Sequence, residues 1–232
     1  MILTIKMFWK QKPTPIEACA HALYEALTKA LTQNGRIHVE DLISAAAAIV
    51  GEASIEAAGD FNPRNHEFAP GGRVFSTKAN ELISGDKDFD EAPSDSIIGI
   101  LKDKLTSCGF TKADFPILKD VFTYFAANVG NKEDWGKVPL SVPKDNHPFI
   151  LPLRAAYETR SIVDTTFAPL GDNRQQRLHA ATLTLAEILC KTRDVLNRRI
   201  ATTLAIETVN GMAKTAPMTD AAMAKLKTEK KN

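Results

Sequence analysis

Small and apolar residues dominate one stretch of the chain, which runs from Val39 to Gly59. Alanine has the highest intrinsic helix propensity, and a helix that is apolar on nearly every side is usually buried. Because alanine and glycine carry little side-chain bulk, neighbouring helices can approach such a helix closely. The pattern therefore predicts a central, buried helix that organises the fold. Its polar positions after the first turn are Ser44, Glu52, Ser54 and Glu56.

A second helix is predicted immediately before the central one. Thr14 is a suitable N-cap, Pro15 suits the first helical position, and Glu17 can close a capping box with Thr14. Apolar residues then recur at helical spacing until Asn34 and Gly35, which form a typical helix end. The short connection to the central helix makes the pair a predicted helical hairpin.

The rest of the chain shows further helical patterns, separated by irregular segments. Asp114 is the expected N-cap of one of them, and Asp172 is the expected N-cap of the last. That last pattern continues to about Gly211 and predicts one long C-terminal helix, with allowance for a kink. The shorter helices are predicted over residues 76–83, 97–108, 114–129 and 149–164.

These elements predict an all-α fold, a single-domain bundle of six to eight helices with the long C-terminal helix packed across the central one. We assign residues 1–213 to this helical domain. The Lys-rich residues 214–232 are assigned to a C-terminal tail or a short docking helix. The sequence shows no alternation of strands and helices that would indicate a parallel sheet.

Composition and charge exclude several classes of partner. The chain has 232 residues, is 44% hydrophobic and carries a formal net charge of +1, as expected for a soluble globular protein. Such a charge provides no overall attraction to nucleic acid or to anionic lipid. The apolar run at residues 45–50 is far shorter than the roughly 20 residues that a membrane span needs. We therefore expect neither a nucleic-acid partner nor a membrane association.

The three cysteines, Cys19, Cys108 and Cys190, are odd in number and far apart in the sequence. Each falls on, or at the end of, an apolar helical stripe, which favours reduced core residues over a disulfide framework. The N-terminal residues show no pattern of a cleavable signal peptide. Together these features predict a cytoplasmic location.

Motifs for a metal site, a cofactor or a known catalytic group are not found in the sequence. No two of the five histidines have the H-x-x-x-H spacing of zinc ligands on one helix face, and no C-x-x-C occurs. The aromatic stripe of Phe115, Phe122 and Phe125 is typical of core packing rather than of a cofactor site. We expect no metal and no cofactor, and no catalytic residue can be assigned.

Glu52 and Glu56 lie one turn apart on the central helix, so they share a face. If that face is buried, repulsion and desolvation would favour the protonated form of at least one of them. Otherwise both reach solvent or pair with an arginine. Arg154 has two interpretations of the same kind, since it can form an exposed ion pair with Glu158 or remain free to bind an anion.

Two irregular loops, residues 60–73 and 133–152, gather further polar side chains on the predicted helical scaffold. Such loops are a normal place for binding residues. The candidate ligand-binding residues are Glu52, Glu56, His66, Arg73, Trp135 and Arg154.

Two functions remain open, and a third, nucleic-acid binding by the C-terminal helix and the Lys-rich tail, is disfavoured. The preferred one is a non-catalytic protein-interaction module that self-associates as a homo-oligomer through small-residue helix faces. The alternative is an enzyme or a binding protein for a small anionic ligand, with a site of carboxylate, histidine and arginine side chains. That alternative requires both loops to meet over one pocket that contains a carboxylate.

Overall fold

The computed structural model describes residues 12–60, 68–129, 137–220 and 223. In those residues the chain forms eight α-helices and short 3₁₀ turns but no β-strand, so the predicted all-α bundle is confirmed. None of these eight helices is long and apolar enough to cross a membrane. The helices are α1 (Pro15–Leu31), α2 (Val39–Ala58), α3 (Thr77–Ser84), α4 (Ile97–Ser107), α5 (Leu118–Asn128), α6 (Pro152–Thr166), α7 (Arg174–Thr192) and α8 (Arg198–Met212).

The helix α2 lies at the centre of the bundle, as predicted. It packs most extensively against α7 and α8, and α6, α3 and α1 complete its surroundings. Ala45, Ala47 and Ala48 are fully buried, and so is most of the helix around them. The small-residue surface to which we assigned self-association is therefore covered by other helices of the same molecule.

Gly51, in the middle of α2, allows a close approach of α8. A β-carbon at this position would lie 2.6 Å from Met212 Cβ and 2.8 Å from the carbonyl oxygen of Val209. Both distances are too short for non-bonded atoms, and the backbone carbonyl cannot yield unless α8 itself moves. The glycine therefore sets the position of α8 and of the segment that follows it.

Several helix boundaries follow from local signals in the sequence. Thr14 and Glu17 form the predicted capping box at the start of α1. Ser76 caps α3 by accepting a hydrogen bond from the Ala79 N–H, and Gly85 ends that helix with a φ of 65°. These signals involve residues three or four apart, so they can be recognised without knowledge of the fold.

Two predicted N-caps are wrong. Asp114 closes a capping box with Thr111 on a 3₁₀ turn, so α5 begins only after Pro116. Asn173 rather than Asp172 caps α7. In both places a cluster of polar residues offers alternative caps, and the local sequence does not decide between them.

The predicted long C-terminal helix is interrupted at residues 193–197, which separate α7 from α8. Arg193 donates to the carbonyl oxygen of Cys108 at 2.9 Å, and Arg198 donates to that of Gly109 at 2.8 Å. The basic side chains at this corner therefore satisfy carbonyl groups beyond the end of α4.

Residues 214–218, assigned from the sequence to the tail, pack inside the helical domain. Ala216 is 1% exposed. The Gly71 N–H donates to its carbonyl oxygen at 2.8 Å, and the Val74 N–H donates to that of Lys214 at 3.1 Å. These residues therefore belong to the domain, while most of the remaining tail lies outside the described residues.

Cys108 and Cys190 form a disulfide that joins the end of α4 to α7, which corrects the prediction of three reduced cysteines. Their Cα atoms lie 5.8 Å apart, although 82 residues separate them in the sequence. Cys19 is free and buried. Closing a loop of this length restricts the unfolded chain and contributes up to about 4 kcal/mol of stability.

Reduction of the Cys108–Cys190 disulfide is expected to destabilise the protein by about 2–4 kcal/mol, because it releases the long loop in the unfolded chain. Urea denaturation with and without a reductant measures this change in the free energy of unfolding. Cys19→Ala is the control and should keep the full sensitivity to reductant. Alkylation of three thiols in the unfolded, non-reduced protein, instead of one, would contradict the bond.

Candidate functional site

Glu52 and Glu56 lie together, with Arg160, around a small cavity beside α2. Its volume is about 30 Å³, enough for one water molecule. The Glu52 residue is 7% exposed, and its Oε1 lies 3.0 Å from Nη2 of Arg160. Of the alternatives given for Glu52, the structure shows the ion pair with an arginine, which is Arg160.

The other predicted ligand-binding residues do not join this carboxylate pair. Arg154 forms an exposed ion pair with Glu158, with 2.7 Å between Nε and Oε1. Arg73 lies beside the wall of a different cavity, and His66 and Trp135 lie outside the described residues. The described members of the predicted set are thus divided among three places.

The ends of the two irregular loops meet at Arg73. Its guanidinium donates to the hydroxyl of Thr215 at 2.7 Å and to the carbonyl oxygen of Lys137 at 3.1 Å. It also stacks over the ring of Phe125, 5.5 Å from the ring centroid. Arg73 therefore links the first loop, the second loop and the segment that follows α8.

A larger cavity, about 440 Å³ in volume, lies between α3, α5 and the end of α8. Sites for small molecules commonly have volumes of about 300–1,000 Å³. We call it the lysine cavity, because Lys214 lies in its wall. Its lining residues are Phe75, Asn80, Ser84, Asp86, Phe122, Phe125, Ala126, Val129, Asn210 and Lys214.

Lys214 is positioned by the turn that ends α8. Its N–H donates to the carbonyl oxygen of Gly211 at 3.1 Å, and its own carbonyl oxygen accepts from the Val74 N–H. The residue is 9% exposed, and its ammonium donates to Oδ1 of Asn210, one turn earlier. Both ends of the residue are therefore fixed, and the side chain has little freedom to reach solvent.

Among the described residues, the ammonium of Lys214 has aromatic neighbours but no carboxylate partner. Its Nζ lies 5.8 Å from the ring centroid of Phe122 and 5.5 Å from that of Phe125, within the range of cation–π attraction. Within residues 12–60, 68–129 and 137–220 it forms no ion pair. Burial therefore lowers the pKa of Lys214 from its ordinary 10.5 to about 8.

Asn210 supplies a second polar group in the same wall. Its Oδ1 accepts from Lys214, whereas its Nδ2 has no hydrogen-bond partner in the described part of the chain. The residue is 1% exposed, and a buried polar group without a partner costs about 1–3 kcal/mol. The wall of the lysine cavity therefore contains two nitrogen donors with unused capacity.

Buried carboxylates anchor the second loop instead of facing the lysine cavity. Glu207 on α8 accepts from the N–H of Ser141 at 2.8 Å and from its hydroxyl at 2.5 Å. Burial raises the pKa of Glu207, and the two bonds from Ser141 partly offset that effect. Asp41 on α2 accepts from the Ile150 N–H at 2.9 Å. These contacts hold the loop against the first turn of α2 and the middle of α8.

Sequence reasoning missed the lysine cavity. Phe122 and Phe125 are visible as an aromatic stripe, but that pattern does not distinguish a core from the wall of a cavity. Lys214 follows a helix end and precedes a Lys-rich segment, which favoured a solvated tail. The signal that could have found it is the apolar context of residues 212–218, in which Lys214 is the only charged residue.

Comparisons with protein-family models, with curated proteins and with solved structures find no match to this chain. The described residues contain no group of three or more histidine, cysteine or acidic side chains that could hold a metal ion. The function is therefore inferred from the geometry and charge of the cavity.

The low pKa of Lys214 predicts a characteristic pH dependence of stability. Between about pH 8 and 10.5 the unfolded state binds more protons than the folded state, because only the unfolded lysine keeps its ordinary pKa. The free energy of unfolding should therefore rise across this window, by up to about 3 kcal/mol, through this residue. Urea denaturation of the wild type and of Lys214→Met at several pH values isolates that contribution.

Lys119→Met is the matched control, because Lys119 is an exposed lysine on α5. It should follow the wild type at every pH. A difference in stability between the wild type and Lys214→Met that does not change with pH would contradict the desolvated amine.

Proposed function

We propose that the protein binds a small carboxylate with an apolar body in the lysine cavity. The observation that carries this function is the buried ammonium of Lys214, whose hydrogen-bond partner in the described part of the chain is the neutral amide of Asn210 and not a carboxylate. A carboxylate on a ligand would supply the missing negative charge.

The walls of the cavity suit the apolar part of such a ligand. Phe122, Phe125 and Val129 provide aromatic and aliphatic surface from α5 and its end. Phe75, in the segment that leads into α3, adds a further aromatic side chain to the lining. Small-molecule sites are typically lined by apolar side chains with a few polar groups that fix the orientation of the ligand. Here those polar groups are the two nitrogens of Lys214 and Asn210.

A carboxylate would be favoured over a neutral group for two physical reasons. Hydrogen bonds between charged partners are about twice as strong as neutral ones, and an ion pair compensates for the cost of burying the ammonium. Its second oxygen can accept from Nδ2 of Asn210, which otherwise has no described partner. Asp86, an exposed residue of the same lining, disfavours a second negative charge, so we expect a monocarboxylate.

The small anionic ligand expected from the sequence is retained here, but its binding residues differ. Lys214 and Asn210 replace the predicted carboxylates Glu52 and Glu56 as ligand-binding residues. Arg73, also predicted, stacks on Phe125 of the cavity wall.

Self-association and a cytoplasmic location both stay predictions. The small-residue surface of α2 is covered within the chain, which removes the reason for a homo-oligomer through that surface. The Cys108–Cys190 disulfide is evidence against the cytoplasm, because thiols there are kept reduced.

Isothermal titration calorimetry with benzoate, phenylacetate and hexanoate tests the carboxylate site, with the neutral amides of the same acids as paired ligands. We expect at least one carboxylate to bind about tenfold or more tightly than its amide, the minimum for a charge-assisted hydrogen bond. Lys214→Met should abolish this preference, because it keeps the apolar stem but removes the charge.

Lys119→Met is the control in this titration. It should bind as the wild type does, because Lys119 is an exposed residue of α5. The function is refuted if no carboxylate of the series binds, or if Lys214→Met retains the preference for carboxylate over amide.

A further inference from the structure

The lysine cavity holds a primary amine in surroundings that suit covalent chemistry. Lys214 Nζ lies 5.8 Å from the ring centroid of Phe122 and 5.5 Å from that of Phe125, and Asn210 Oδ1 accepts a hydrogen bond from it. No carboxylate of the described residues lies close enough to hold it in the ammonium form. A desolvated lysine of this kind is the usual form of an amine nucleophile in proteins.

The neutral amine is accessible near physiological pH, because burial lowers the pKa of Lys214 to about 8. Within the described segments, the charged groups that face this region are Asp86, which lines the cavity, and Arg73, which stacks on Phe125. A neutral amine keeps a lone pair while one N–H remains bonded to Asn210. It can therefore attack an electrophilic carbon of a molecule in the cavity.

We propose that Lys214 Nζ condenses with the carbonyl carbon of a small aldehyde or ketone bound in the lysine cavity, forming an imine. This inference rests on the proposed function, because it uses the same cavity for the apolar part of the ligand. It adds to the ligand class carbonyl compounds with an aromatic or aliphatic body, with or without a carboxylate.

The step is balanced without any oxidant or reductant. The nitrogen lone pair forms a C–N bond while the electron pair of the C=O π bond moves to oxygen, giving a carbinolamine after proton transfer from nitrogen to oxygen. The hydroxyl group then leaves as water with the second nitrogen proton, and the C=N bond forms. Ser84 and Asp86 line the same cavity, so groups that can exchange protons lie within the site.

Reductive trapping of the full chain tests the imine. The protein is incubated at pH 8 with benzaldehyde and sodium cyanoborohydride, and the modified lysines are found by peptide mapping with mass spectrometry. Lys214 should be benzylated about tenfold or more faster than exposed Lys119, because burial lowers the pKa of Lys214 to about 8 and the cavity holds the aldehyde beside its nitrogen. Excess phenylacetate should slow the modification of Lys214 but not that of Lys119.

Lys214→Arg keeps the positive charge but cannot form an imine, so it should lose the fast adduct. Modification of Lys214 no faster than that of Lys119, or a fast adduct that persists in Lys214→Arg, would overturn the inference. If carboxylates bind in calorimetry and Lys214 is not trapped, the proposed function stands and the imine is refuted. If Lys214 is trapped and no carboxylate binds, the imine stands and the preference for carboxylates is refuted.

Discussion

The close contact between α2 and α8 at Gly51 is the constraint on which the rest of the structure depends. Because no side chain intervenes, the backbone of α8 reaches the surface of the central helix near Val209 and Met212. The end of α8 and the residues after it are then held by hydrogen bonds to residues 71–74. This arrangement carries Lys214 into the wall of a cavity instead of into solvent, so the site is a consequence of how the core packs.

Burying the Lys214 ammonium has an energetic cost that the described residues compensate only in part. Two phenylalanine rings attract the charge, and Asn210 accepts one hydrogen bond, but neither supplies a formal negative charge. Ionisable groups whose pKa is shifted by burial cluster at functional sites. A ligand that brings a carboxylate, or one that reacts with the amine, would remove the uncompensated cost of burying the ammonium. Both proposals follow from that cost.

The sequence predicts the fold where its signals are local. Thr14 and Glu17 lie one turn apart, so the start of α1 is visible in the sequence. The alanine-rich run identifies α2 as buried, because it has too few polar residues to form a solvent-exposed face. The disulfide and the lysine cavity depend on residues brought together over long separations, 82 residues in the case of Cys108 and Cys190. No local pattern encodes such closure. For the same reason the sequence predicts one site for Glu52 and Arg154, whereas Glu52 pairs with Arg160.

The most direct measurement of the central claim is the titration of Lys214 itself. In protein labelled with carbon-13 lysine, the side-chain resonance that disappears in Lys214→Met can be assigned to this residue and followed by NMR over a range of pH. The account predicts a midpoint at about pH 8, well below the ordinary lysine pKa of 10.5. A midpoint near pH 10.5 would show an ordinary solvated ammonium and would contradict the account.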